Sequence, residues 1–84
     1  MKMIDVECPF TVGQCYRAKE RLAYLNHIIP AGNRVVFVNR AYDQKLGVAR
    51  FNFKNVETGE INAWHVWDDN HSDMANWLMY FERC

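Results

Sequence analysis

The chain has few of the residues that usually mark a specialised site. Of its 84 residues, three are cysteine, four are glycine, two are proline, and Ser72 is the one serine. Cys8, Cys15 and Cys84 are odd in number and show no CxxC spacing, which argues against both a zinc ribbon and a dense disulfide framework. They read as reduced thiols of a cytoplasmic protein, with a Cys8–Cys15 bridge as the alternative. No apolar run approaches the roughly 18–20 residues of a membrane span. The opening MKMIDVECPF has a basic residue but not the apolar stretch of a signal peptide. Ser72 sits in no GxSxG elbow, and Cys15 has no base at a telling spacing. Gly13, Gly32, Gly47 and Gly59 fall singly at turns and form no phosphate-cradling loop. The expectation is therefore no catalytic residue, no metal, no cofactor and no membrane partner.

What is present is a core. Half of the residues are hydrophobic, and five Phe, four Tyr and three Trp supply large side chains. One small domain over residues 1–84 is expected, burying about 60–65% of the surface that its unfolded chain exposes. Net charge is zero, but its distribution is uneven. Residues 1–55 hold nine basic and four acidic side chains, a balance of +5; residues 56–84 hold one basic and six acidic, a balance of −5. Part of that asymmetry is internal complementarity; the rest would give one basic and one acidic face.

Periodicity places the elements. QCYRAK (14–19) alternates like a first strand. ERLAYLNHIIPAGN (20–33) reads as a long loop with one helical turn, ended at Pro30. RVVFVNRAY (34–42) is the strongest strand and is expected at the centre, since Val35 and Phe37 point one way and Val36 and Val38 the other. DQKLG is a turn, and VARFNFKNV (48–56) returns with Ala49, Phe51 and Phe53 alternating against Arg50, Asn52 and Lys54. ETGE is a second turn, and INAWHVW (61–67) closes an antiparallel meander. Met74, Trp77, Leu78 and Phe81 stand at i, i+3, i+4 and i+7, which predicts an amphipathic helix over about 72–82.

The stretch WHVWDDNHSD (64–73) concentrates Trp, His and Asp, and invites a metal or acid–base reading through His65, Asp68, Asp69 and His71. A helical zinc site wants His at i and i+4. Here His65 falls mid-strand and His71 at a helix start, so the stretch is better explained as a strand-to-helix connection. Asp68, Asp69 and Asn70 form turns, Asp73 complements the helix dipole, and Asn70 or Ser72 caps the helix. Alternation places Trp64 and Trp67 on opposite faces. His27, beside Ile28 and Ile29, reads as a loop residue rather than a base.

The basic residues carry more information. Arg50 and Lys54 share the polar face of one strand, and Arg40 and Lys45 lie near the turn that precedes it. With Tyr42 nearby for stacking, these four would track phosphates or contact a protein partner; the plainer reading is a solvated outer face that also protects sheet edges.

The order VGQCYRAK, IPAGNRVVFV, FNFKNVETGEINAWHVW and MANWLMYFE resembles that of small bacterial SH3-like barrel domains, over about residues 12–82. The resemblance implies an opening strand, a long loop, a hairpin and a short closing helix, and it implies no activity. Domains of that architecture bind peptides in aromatic grooves, nucleic acid on their strands, or proteins through an edge. Tyr24, Tyr42 and Trp67 are the aromatics available for such a groove. The fold class expected is thus α+β, mainly β: an SH3-like barrel or strongly bent antiparallel sheet of four or five strands with a C-terminal amphipathic helix. The function expected is non-enzymatic protein binding, in the manner of a small inhibitor or accessory protein such as a phage anti-defence or immunity factor. Its alternative is nucleic-acid binding by the basic hairpin, and an exposed edge strand would also offer pairing to a second copy.

Overall fold

A computed structural model of the chain describes residues 8–67 and 76–84. The strands are β1 (Cys15–Ala18), β2 (Leu22–Tyr24), β3 (His27–Ile29), β4 (Arg34–Asp43), β5 (Val48–Asn55), β6 (Ile61–Trp67) and β7 (Phe81–Arg83). Five of them form one antiparallel sheet in the order β6-β5-β4-β1-β7, and β2 and β3 form a separate hairpin. The described chain is therefore all-β, and the α+β expectation is corrected.

The C-terminal helix is the element that fails. Met74 lies outside the described residues; Trp77–Met79 make one 3-10 turn and the chain then extends into β7. Trp77 packs on the core and Phe81 is fully buried, whereas Leu78 and Met79 are exposed. Pairing of β7 with β1, together with burial of Phe81, outweighs the local helical pattern. The same pairing brings Cys84 opposite Cys15, where the two form a disulfide with Cα atoms 5.4 Å apart. Both the reduced-thiol reading and the Cys8–Cys15 alternative are corrected by it: Cys8 is the free cysteine.

The long-loop reading of 20–33 is corrected as well. Leu22, Tyr24, His27 and Ile29 alternate along a hairpin whose partners are Leu22↔Ile29 and Tyr24↔His27, joined by Leu25-Asn26. Opposite residues share a face, so these four line one side. Ile29 is buried in the core and Leu22 packs against it, while Ala23 and Ile28 face away and are exposed. The hairpin lies against β6, which is an edge of the five-stranded sheet.

Two turns hold the meander by one device. In Asp43–Gly47 and in Asn55–Gly59 the first side chain accepts hydrogen bonds from the N–H groups two and three residues on (Lys45 and Leu46 at 3.0 and 3.2 Å; Glu57 and Thr58 at 2.8 and 3.1 Å). In each, the glycine N–H donates to the first residue's carbonyl at 2.8 Å. Gly47 and Gly59 adopt φ of 65° and 78°, which only glycine does without cost.

The core is a cluster of rings. Phe10, from the segment before β1, lies within 5.0–5.9 Å (centroid to centroid) of Tyr16, Phe37, Phe51, Phe53, Trp64, Trp77 and Phe81. Most of these contacts are edge-to-face, the favoured arrangement.

Candidate functional site

A β-bulge decides which side chains share a face. The β4–β5 register runs Val35↔Asn55, Val36↔Lys54, Phe37↔Phe53 and then Asn39↔Asn52, so Val38 is one extra residue on β4. Beyond it the parity of β4 is reversed: Arg40 stands opposite Phe51 and Tyr42 opposite Ala49, on the core-facing side. Tyr42 packs against the core. Arg50 and Lys54 lie on the other, outer face, and Lys45 is exposed in the turn. The four cations do not form one patch.

The outer face of β5 and β6 is a ladder of cross-strand pairs: Val48–Trp67, Arg50–His65, Asn52–Ala63 and Lys54–Ile61. Asn52 Nδ2 donates to Asn39 Oδ1 at 2.7 Å on the same face. The opposite face carries Phe51–Trp64 and Ala49–Val66 in the core, so Trp64 points inward and Trp67 outward.

Along the β6 side of this ladder, from Trp67 to the buried Ala63, the β2–β3 hairpin contributes a second set of rings. Tyr24 lies 5.4 Å from Trp67, edge to face, and 4.7 Å from His65; His27 lies 5.3 Å from His65. The Ala63 N–H donates to His27 Nδ1 at 3.2 Å. Burial, then the neighbouring His27 and Arg50, hold the His65 pKa below its ordinary 6.5, with a backbone hydrogen bond at Ala63 opposing them. Arg50 Nε and His65 Nδ1 are buried without a hydrogen-bond partner among the described residues.

Tyr24, Trp67 and Arg50 thus come together, Lys54 lies further along the same face, and Arg40, Tyr42 and Lys45 stand apart. Asp68, Asp69 and His71 fall outside the described residues. Among the described residues no three His, Cys, Asp or Glu side chains are grouped to hold a metal, and no helix is long and apolar enough to cross a membrane.

Sequence reasoning missed His27, Leu25 and Ile28 as neighbours of this surface. The signal was present: LAY and HII alternate on either side of Leu25-Asn26, a hairpin spacing. Leu25 takes φ 54° and is 79% exposed; Tyr24 and Ile28, at 36% and 40%, are also exposed.

No family model matches the chain, and no curated protein matches it. Among solved structures, an integron cassette protein from the mobile metagenome of Vibrio cholerae aligns with a TM-score of 0.65 over 90% of this chain and 87% of its own, at 19% identity. The chain is similar to that cassette protein in fold, and the likeness extends to fold alone.

Proposed function

We propose that this protein is a non-enzymatic binding module that works by contact with another protein, through the corner formed by the β2–β3 hairpin. Leu25 carries the reading. A non-glycine residue in the left-handed region costs about 1–2 kcal/mol, and glycine or asparagine is the usual choice at such a turn. The two-residue turn requires positive φ there, and Leu25 supplies it while leaving 79% of its surface in water, so its backbone closes the hairpin but its side chain packs nothing. Tyr24 and Ile28 extend the apolar surface on either side. Apolar and aromatic side chains grouped at one corner are what a partner's pocket takes up.

Inhibition or assistance of a partner suits a domain with this little chemistry. The nucleic-acid alternative is less well supported, because the bulge at Val38 sets Arg40 on the core-facing side and leaves Arg50 and Lys54 as the outer pair. Disulfides persist in oxidising compartments, so the Cys15–Cys84 bond gives the proposal no reason to place the module in the cytoplasm.

The test is affinity capture from nuclease-treated lysate with the wild type and with Leu25→Asn. The variant relieves the backbone and removes the apolar tip. One stoichiometric protein captured by the wild type and lost with a stable Leu25→Asn variant is the expected result. Equal capture by both would sink the proposal.

A further inference from the structure

We infer that the outer face of β5, beside the hairpin that covers β6, binds an extended acidic segment of the protein partner, with carboxylates four residues apart seated on Arg50 and Lys54. The inference rests on the protein-contact reading and names the chemistry of the partner.

The spacing comes from the ladder. Arg50 and Lys54 lie four positions apart on one strand and on one face, so their Cα atoms are separated by about 13 Å at the usual rise per residue. An extended peptide has the same rise and the same two-residue alternation, so its side chains at i and i+4 match that separation on a single side. Acids at i and i+3 would point to opposite sides.

The charge points to carboxylate. Neither β5 nor β6 contains an acidic residue. Asp43, opposite Val48, is already engaged by the N–H groups of Lys45 and Leu46. Arg50 forms no ion pair among the described residues, is half-buried beside His65, and has a buried Nε without an acceptor. A partly desolvated guanidinium gains most from an anion brought to it, and a planar carboxylate fits its fork.

The flanks define the rest of the segment. Trp67 and Tyr24 stand at the Arg50 end, and Ile61, 55% exposed, stands opposite Lys54. Apolar residues outside the two acids would cover them. A nucleic-acid strand fits less well. It presents a phosphate at every nucleotide, whereas this face offers two full cations across about 13 Å. Single-strand binders also stack successive bases on open rings, and here the Tyr24 and Trp67 rings meet each other edge to face.

The probe is a fluorescein-labelled synthetic peptide with glutamates at i and i+4 between apolar residues, read by fluorescence anisotropy. Its controls are an isomer of identical composition with glutamates at i and i+3, and an oligothymidylate. The i, i+4 peptide is expected to bind about tenfold more tightly than the isomer, the gain of one charge-assisted pair. Arg50→Gln and Lys54→Gln, each checked for an unchanged urea midpoint, are expected to remove that advantage. Equal affinity for the two isomers, or no binding of the i, i+4 peptide, would overturn the inference. So would oligothymidylate binding that disappears in Arg50→Gln, since that would make the face a phosphate site. The two readings fail separately. Capture indifferent to Leu25→Asn with peptide register intact sinks the hairpin corner; the reverse pattern sinks the acidic row alone.

Discussion

Replacing Phe10 by alanine tests the least obvious feature of the core. Phe10 belongs to no strand, yet its ring is 6% exposed and meets seven other rings. Emptying that position removes the transfer free energy of the ring and leaves a void walled by rigid aromatics anchored on five strands and the 3-10 turn, which cannot collapse far. A Phe→Ala change in such a setting costs about 3–5 kcal/mol. A domain of this length has roughly 4–13 kcal/mol of stability in all, so the variant would sit near its unfolding threshold. Phe10→Leu fills most of the space and is expected to cost about 1–1.5 kcal/mol, which keeps it measurable. Urea unfolding followed by tryptophan fluorescence suits both, because Trp64 and Trp77 lie 5.9 and 5.3 Å from the ring and report its loss in the native spectrum too. If Phe10→Ala lost less than about 1 kcal/mol at an unchanged urea slope, the segment before β1 would not be docked as described.

Reduction of Cys15–Cys84 opens a ring with a sequence separation of 69; loop entropy puts its contribution at about 4 kcal/mol. The check is the urea midpoint with and without reductant, together with alkylation of Cys8 alone in unreduced protein. His65 gives a pH dependence of definite sign. Its folded pKa is lowered from 6.5, so the unfolded chain takes up the proton first. Stability is then full above the unfolded pKa and is lost as pH falls from there toward the folded value. Urea midpoints at about pH 7.5 and about pH 5.5 should differ in the wild type, and less in His65→Gln. Asn55→Ala removes a buried acceptor of two turn N–H groups and should cost about 1–2 kcal/mol by the same assay.

The meander was legible because its information is local. Phe51 and Phe53 alternate with Arg50, Asn52 and Lys54 in the sequence as they do in β5, and the turns carry Asp or Asn followed four residues later by Gly. What failed depends on distant partners. Residues 77–81 have a helical spacing, but β1, more than sixty residues earlier, supplies the pairing that straightens Phe81–Arg83. Cys84 showed nothing until that pairing set it beside Cys15. The bulge at Val38 was silent too, since RVVFVNRAY alternates without a break, and it alone removes Arg40 and Tyr42 from the face of Arg50. The candidate surface was legible in its aromatics, Tyr24 and Trp67. His27 was not placed beside His65, because its strand was read as loop.

The sheet order β6-β5-β4-β1-β7 also orders events in time. β4, β5 and β6 are neighbours in sequence and are joined by two turns that specify themselves, so closing them requires only short loops. β1 must reach β4 across the hairpin, and β7 must return along nearly the whole chain. Assembly should therefore spread outward from the meander, with the last strand to arrive being the one that a covalent bond then keeps in place.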